Sequence, residues 1–146
     1  MGLNRIDSIE EYHKYLINNP EEAIAASQDF LINVTSFFRD EPAYSALKEH
    51  LKERIMLKKP DYSDIRAWIP GCSTGEEAYS TAIIMHEAME ELKKTFKLQI
   101  FCTDIDKEAI EVARRGSYAP NVIKDISTKR LEKYFKKSES GQHTIK

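Results

Sequence analysis

The 146-residue sequence lacks the features of several specialised protein classes. It has only two cysteines, five glycines and five prolines, which does not suit a fibrous or low-complexity chain. Its formal net charge of −2 provides no bulk electrostatic attraction for nucleic acid or membranes. With 41% hydrophobic and 32% charged residues, the composition is that of an ordinary globular protein, and the length suits one domain.

The sequence also lacks long apolar runs and clustered metal ligands. No run approaches the roughly 20 residues needed to span a bilayer, and residues 1–7 lack the basic and apolar regions of a signal peptide. We therefore expect a cytoplasmic protein that is not embedded in the membrane. Cys72 and Cys102 end two proposed strands, and in that compartment we expect reduced core residues. The four histidines are scattered without ligand spacing, so no metal site is predicted.

Residues 1–60 have a helical and strongly charged pattern. Ser8 can cap a first helix, which Asn19 and Pro20 end. Asp40 can cap a third helix that ends near Lys59. The second helix begins after Pro20, and its apolar positions are Ala23, Ala26, Phe30, Leu31 and then Val34. A turn is expected over Asn33–Asp40, because its adjacent aromatic residues do not fit one helical stripe.

Residues 61–146 have the pattern of an α/β domain. A short apolar run, Arg66–Ile69, predicts a buried strand, and Leu98–Thr103 predicts a second one. The predicted helices are Gly75–Lys94, Lys107–Arg115 with Asp106 as cap and Gly116 just beyond, and two short ones over Asn121–Asp125 and Thr128–Lys136. The polar tail, Lys137–Lys146, is predicted to be weakly ordered.

The turn between the first strand and its helix indicates a ligand site. Side chains at Gly71, Ser73 and Gly75 are absent or short, so a ligand could lie against the backbone at the start of the helix. Asp104 follows the second strand, where its carboxylate could accept hydrogen bonds from both hydroxyls of a ribose. The turn departs from the three-glycine dinucleotide fingerprint, so the pattern alone indicates a nucleotide without specifying which one.

Each of these residues also has a structural alternative. Ser73 or Thr74 could form a capping box with Glu76 or Glu77. Asp104 could simply end a strand. In the segment before the third helix, Arg39 could pair with Asp40 at the surface, and the adjacent Phe37 and Phe38 could belong to the core.

Four motifs in order resemble the CheR chemotaxis receptor methyltransferases. They are Asn33–Asp40 (NVTSFFRD), Gly71–Ser80 (GCSTGEEAYS), Thr103–Asp106 (TDID) and Ala113–Tyr118 (ARRGSY). The resemblance extends over roughly residues 29–135, and it is strongest to the CheR part of CheB/CheR fusion proteins. Related families usually begin the glycine turn with an acidic residue, whereas this sequence has Pro70 before Gly71. Glu77 could take over the role of that acidic residue.

The resemblance implies an S-adenosylmethionine-dependent O-methyltransferase that converts glutamate side chains of methyl-accepting chemotaxis receptors to methyl esters. By motif match, the implied cofactor-binding residues are Asn33, Thr35, Arg39, Gly71, Ser73, Gly75, Glu77 and Asp104. Glu77 would lie at the methionine end and Asp104 at the ribose. Arg39 would also act in catalysis by orienting the substrate carboxylate.

The implied fold is a Rossmann-like methyltransferase domain that is present only in part. We expect helices over residues 1–60 and a partial domain with an incomplete parallel sheet over 61–146, either a natural truncation or a fragment. An open edge of such a sheet could support self-association. Two functions remain open: a receptor glutamate methyltransferase, and a non-catalytic module that binds S-adenosylmethionine or a protein. A nicotinamide-dependent oxidoreductase is disfavoured, because the three-glycine turn is missing.

Overall fold

The computed structural model describes residue 6, residues 8–31 and residues 34–146 of the chain. Contacts divide the chain into two compact units, Met1–Ile32 and Asn33–Lys146. The division into domains at residues 60 and 61 stays a prediction.

The first unit contains two short helices, α1 (Ile9–Asn18) and α2 (Pro20–Asp29). The Ser8 side chain accepts the N–H of Glu11 at 3.1 Å, which confirms the predicted cap. The second helix ends sooner than predicted, because the N–H of Leu31 bonds to the carbonyl of Gln28 in a tight closing turn. The expected continuation of the apolar face to Leu31 and Val34 was therefore wrong.

The second unit begins with the turn before α3 (Glu41–His50). Asp40 caps this helix as predicted, since its side chain accepts the N–H of Ala43 at 3.2 Å. The helix continues through a π-helical turn, Leu51–Ile55, and a 3-10 turn, Met56–Lys58. Two carbonyl oxygens at its C-terminal end have a hydrogen-bond partner, because the Lys94 ammonium donates to those of Met56 and Lys59 at 3.1 and 2.8 Å.

The parallel sheet consists, among the described residues, of β1 (Asp64–Pro70) and β2 (Lys97–Thr103). Their register runs from the pair Asp64 and Lys97 to the pair Pro70 and Thr103. The connection between them is α4 (Glu76–Leu92), so the unit is the predicted βαβ arrangement.

The two faces of this sheet differ in burial. Ile65 and Ile69 are buried in apolar clusters that contain α4 residues. Trp68 is 68% exposed and Phe101 is 49% exposed on the opposite face. The prediction of a buried strand was therefore right for one face and wrong for the other, because alternate side chains of a strand point to opposite faces.

Helix α5 (Lys107–Arg115) has the predicted bounds. The Asp106 side chain accepts the N–H groups of Glu108 and Ala109 at 2.8 and 3.2 Å. Gly116 ends the helix with φ of 55°, the left-handed conformation expected at that position.

The C-terminal part of the described chain differs most from the prediction. It contains β3 (Ser117–Tyr118), α6 (Thr128–Tyr134), β4 (Phe135–Lys137) and β5 (His143–Ile145), and the strands form an antiparallel sheet in the order β3, β5, β4. The predicted helix over residues 121–125 is replaced by turns, and the tail is ordered as a hairpin. The hairpin was not predictable from the polar sequence of the tail, because the order of the hairpin depends on pairing with the distant Ser117 and Tyr118.

The core of the second unit is built around α4. Its buried residues Ile83, Ile84, Met85 and Ala88 join side chains from the turn before α3, from the π-helical and 3-10 turns and from the C-terminal sheet. The partners are Phe37, Phe38, Leu51, Met56, Ile65, Phe96, Tyr118, Ile123, Ile126 and Phe135. Phe37 and Phe38 are thus core residues, and they fix the segment that carries Arg39.

Candidate cofactor site

The turn between β1 and α4 has a left-handed backbone at Gly71, Ser73 and Gly75, where φ is 66°, 47° and 98°. A Cβ added at Gly75 would lie 2.9 Å from both the Ala113 Cβ and the Tyr118 hydroxyl oxygen. A Cβ at Gly71 would meet no atom within 4 Å. Gly75 is therefore required by both packing and backbone conformation, whereas Gly71 is required by conformation alone and leaves open space for a ligand.

Asp104 lies directly beside this turn. Its Oδ2 accepts the backbone N–H of Ser73 at 2.7 Å, and its Oδ1 accepts the N–H of Asp106 at 2.9 Å. A carboxylate oxygen has two lone pairs, so each oxygen retains one for a ligand hydroxyl. The glycine turn and the carboxylate thus meet at the carboxyl end of the parallel strands, where ligands of open α/β sheets bind.

Tyr118 contacts the turn between β1 and α4 from the core of the second unit. Its hydroxyl donates to the carbonyl oxygen of Thr74 at 2.8 Å, and its ring makes an edge contact with Phe37 at 5.0 Å between centroids. Burial, followed by the nearby Glu76 carboxylate, raises the pKa of Tyr118 well above its ordinary value. The phenol therefore stays protonated at neutral pH and remains a hydrogen-bond donor.

The predicted capping box at the start of α4 does not form. Gly75 occupies the N-cap position, and the Thr74 hydroxyl instead donates to the buried Glu76 carboxylate at 2.6 Å. Glu77 is exposed and takes no part in this arrangement. The structural alternative for Glu77 was therefore wrong, and its carboxylate is accessible to a ligand.

Arg39 and Glu77 line a common cleft of about 750 Å³, together with Tyr44 and Thr81. The Arg39 guanidinium donates to the carbonyl oxygen of Val34 at 3.1 Å, while Asp40 beside it caps α3. Burial, followed by the charge of Glu77, raises the pKa of Tyr44. The lining of the cleft thus includes one cation, Arg39, three carboxylates from Asp40, Glu41 and Glu77, and the neutral phenol of Tyr44.

Two further residues, Thr35 and Asn33, were predicted to bind the cofactor. Thr35 is half-buried in the segment that leads to Arg39. Asn33 lies outside the described residues. Contact of either side chain with a cofactor stays a prediction.

The two cysteines lie at the same end of the sheet. Cys102 pairs in register with Ile69, and the N–H of Cys72 donates to the carbonyl oxygen of Thr103 at 3.1 Å. Burial raises the pKa of Cys72 to about 11, with smaller contributions from Cys102 and Asp104. Both cysteines are free thiols, and at neutral pH Cys72 is not a thiolate. Cys72 is buried as expected, but the expectation of a core residue was wrong for Cys102, because the last residues of β2 are exposed.

Sequence reasoning did not single out Ser80, which connects the two halves of the site. Its hydroxyl is fully buried, accepts the N–H of Phe38 at 3.1 Å and donates to the carbonyl oxygen of Glu76 at 2.7 Å. A small polar residue among the apolar positions of α4 was the available signal. Ser80 and Tyr118 each end one of the family motifs, but their roles depend on contacts with distant residues, Phe38 and Thr74.

Within the part of the chain that the structure describes, no helix has the length and apolar character needed to cross a membrane. The same residues contain no group of three histidine, cysteine, aspartate or glutamate side chains arranged to hold a metal ion.

Comparison with known proteins identifies the family. Residues 33–146 match the sequence model described as CheR methyltransferase, SAM binding domain. A "Chemotaxis protein methyltransferase" of Salmonella typhimurium is 31% identical over 140 residues, which are 92% of this chain and 45% of that protein. The Escherichia coli protein of the same name is 32% identical over 111 residues, covering 76% of this chain and 35% of that protein.

A third relative is much longer. The "Uncharacterized 104.1 kDa protein in hypE 3'region" of Rhodobacter capsulatus is 34% identical over all 146 residues, which are 15% of its length. The chain thus spans less than half the length of each of these three relatives. The match over residues 33–146 and the site geometry agree, and the chain belongs to the CheR methyltransferase family as a SAM-binding domain.

Proposed function

We propose that this domain binds S-adenosylmethionine at the glycine turn and serves methyl transfer to glutamate side chains of chemotaxis receptors. The observation that carries the proposal is the 2.7 Å hydrogen bond from the Ser73 N–H to the Asp104 carboxylate. This bond places the backbone of the glycine turn next to the carboxylate that we assign to the ribose. Membership of the CheR family supports the choice of cofactor.

Three features of the described residues support this choice of cofactor. The space beside Gly71 admits a ligand against the backbone, and Asp104 retains acceptor capacity for the two ribose hydroxyls. We assign Glu77 to the positively charged methionine end, because its carboxylate is exposed in the cleft that it lines together with Arg39. Opposite charges attract most strongly where little water separates them.

The reaction requires little proton chemistry from the protein. When bound, the cofactor supplies a methyl group on a positively charged sulfur. The substrate glutamate has an ordinary pKa of about 4.3, so its carboxylate is already ionised at neutral pH. It therefore needs no general base. The remaining task of the protein is to hold the carboxylate in line with the methyl group and to limit water around both.

Arg39 is our candidate for orienting that carboxylate. It lies in the same cleft as Glu77, and a guanidinium can bind a carboxylate through two parallel hydrogen bonds. Its bond to the Val34 carbonyl uses one nitrogen and leaves the other donors for substrate. By the same assignment Arg39, Thr35 and Asn33 also contact the cofactor.

A second candidate function is a non-catalytic module that binds S-adenosylmethionine or a protein partner. The chain spans 45% and 35% of two relatives named as methyltransferases, so for these 146 residues by themselves binding without transfer is the alternative. For the methyltransferase function we infer a cytoplasmic protein whose partners are receptors, not nucleic acid.

The test combines calorimetry with a transfer assay on the 146-residue chain. Titration with S-adenosylmethionine and S-adenosylhomocysteine measures binding, and a radiolabelled methyl donor with receptor fragments measures transfer. Binding with transfer supports the enzyme, and binding without transfer supports the module. Absence of binding to both ligands would refute the proposed cofactor site.

Arg39→Ala and Arg39→Lys separate the role of Arg39 from general stability. We expect both variants to lose transfer by about a hundredfold, since lysine cannot replace two-point recognition of a carboxylate. Transfer at the wild-type rate in Arg39→Ala would refute the catalytic assignment.

A further inference from the structure

Phe38, the residue before Arg39, has a backbone conformation that must be held by its surroundings. Its φ is 51°, in the left-handed region that residues with a bulky side chain rarely adopt. Its side chain is only 7% exposed. Such a conformation persists where neighbouring groups over-determine it, and it then fixes the direction of the next residue.

Two of these neighbours lie on helices that frame the cofactor site. The N–H of Phe38 donates to the buried Ser80 hydroxyl of α4 at 3.1 Å. The ring of Tyr44 in α3 meets the Phe38 ring edge-on, with 5.3 Å between centroids. These contacts hold the backbone and one side of the ring.

The third neighbour comes from α6, far along the chain. The Arg130 guanidinium carbon lies 4.0 Å from the centroid of the Phe38 ring. Its Nε and Nη2 donate to the two carboxylate oxygens of Glu87 at 2.8 and 3.0 Å. Arg130 is 17% exposed and Glu87 is 20% exposed at the side chain, so this stacked and paired arrangement is largely shielded from water.

We propose that Arg130 is a positioning residue of the cofactor site, oriented by Glu87, which holds Phe38 and thereby directs Arg39 into its cleft. Only a planar guanidinium can stack on the ring while it binds a carboxylate through two hydrogen bonds. The proposal rests on the proposed function for the role of Arg39. It extends the site to a helix that sequence motifs did not associate with the cofactor.

A purely structural role would be to attach α6 to α4, and the chain offers a matched control for that role. Lys133 of α6 forms an ion pair with Glu90 of α4, close to the pair of Arg130 and Glu87 along the same two helices. Lys133 stacks on Tyr134 instead of Phe38. Removal of the Lys133 pair therefore tests attachment of the helix without removing the contact to Phe38.

The experiment compares Arg130→Met, Arg130→Lys and Glu87→Gln with Lys133→Met in the 146-residue chain. Amide hydrogen exchange at Phe38 and Arg39 reports the turn directly, and Ile84 in the core of α4 reports global opening. We expect exchange at Phe38 to rise at least about tenfold in the three Arg130 and Glu87 variants, with little change at Ile84. Lys133→Met should leave exchange at Phe38 unchanged.

Calorimetry with S-adenosylhomocysteine adds the functional readout. We expect Kd to rise about tenfold in Arg130→Met and Arg130→Lys, and to stay unchanged in Lys133→Met. Wild-type exchange at Phe38 in Arg130→Lys, or equal changes in Arg130→Met and Lys133→Met, would overturn the inference. If the wild-type chain binds no cofactor, the proposed function fails, whereas the exchange comparison still decides the role of Arg130.

Discussion

The backbone N–H of Ser73 donates a 2.7 Å hydrogen bond to the carboxylate of Asp104, across a separation of 31 residues. The contact joins the end of β2 to the turn after β1. It means that Asp104 serves two purposes, since the same carboxylate that holds the turn is the group proposed to bind the ribose. Substitution at Asp104 should therefore affect both stability and ligand affinity.

Asp104→Asn should weaken binding of S-adenosylhomocysteine by about tenfold or more. The amide keeps the shape of the side chain but replaces one acceptor oxygen with a donor, and a hydrogen bond to a charged group contributes about 1.5–3 kcal/mol. Calorimetry measures the affinity and thermal unfolding measures the stability.

Asp106→Asn is the matched control, because asparagine is an equally good N-cap for α5. Its affinity should remain near the wild-type value. Equal loss of affinity in both variants would argue against a specific role for Asp104.

Gly75→Ala should destabilise the domain far more than Gly71→Ala. At Gly75 the new Cβ would lie 2.9 Å from the Ala113 Cβ and the Tyr118 hydroxyl oxygen, in addition to the strain at φ of 98°. We expect a loss of about 2–5 kcal/mol from strain and overpacking. At Gly71 only the strain at φ of 66° applies, and the expected loss is about 1–2 kcal/mol.

Urea unfolding of the two glycine variants measures this difference directly. Gly71→Ala has a further expected effect, because its Cβ would enter the space proposed for the cofactor. A Gly71→Ala variant that remains folded at low urea and binds S-adenosylhomocysteine more weakly would fit that expectation. Equal losses of stability at the two positions would contradict the packing argument for Gly75.

Stability should depend on Glu91 in acid. Hydrogen bonds from Lys48 and Lys52 lower the pKa of Glu91 to about 2 from the ordinary 4.5. Because the folded-state pKa is depressed, the stabilisation is complete above about pH 4.5 and is lost as the pH falls towards about 2. Glu91 and its two lysine partners are partly exposed, so the ion pairs contribute less than about 1 kcal/mol to the free energy of unfolding.

Urea unfolding across this pH range, for the wild type and Glu91→Gln, isolates the contribution. The difference between the two proteins should shrink as the pH falls and should be smaller at high salt, since surface pairs are screened. A difference that does not change with pH would show that Glu91 stabilises through packing instead of charge.

Self-association through the open edge of the parallel sheet stays a prediction with a direct test. Phe101 of β2 is 49% exposed, Trp68 of β1 is 68% exposed, and the nearby Ile105 is 82% exposed. Exposed apolar strands of this kind promote pairing with another chain. Sedimentation should show oligomers that increase with concentration, and Phe101→Lys should reduce them. A monomer at all concentrations would contradict the prediction.

Local sequence signals were sufficient where short-range bonds decide the structure. Ser8, Asp40 and Asp106 cap helices as predicted, and Gly116 ends α5. These features depend on residues within one helical turn of each other, so the sequence pattern contains most of the information. The alternation of strand, turn and helix around the glycines was predictable for the same reason.

The C-terminal sheet and the start of α4 could not be predicted in this way. The strand His143–Ile145 pairs with both Ser117–Tyr118 and Phe135–Lys137, and such pairing depends more on partners than on intrinsic propensity. At the start of α4, the backbone takes a left-handed turn that gives the N-cap to Gly75, so the capping-box pattern did not apply.

The sequence by itself determined the family, the order of helices and strands as far as α5, and the presence of a glycine turn followed by an acid. Short-range backbone chemistry and the spacing of motifs are enough for these features. Only the tertiary structure decided that Asp104 holds the Ser73 turn, that Ser80 of α4 binds the backbone of Phe38, and that Arg130 stacks on Phe38. Those contacts join residues 31 or more positions apart, and packing of the whole core brings them together.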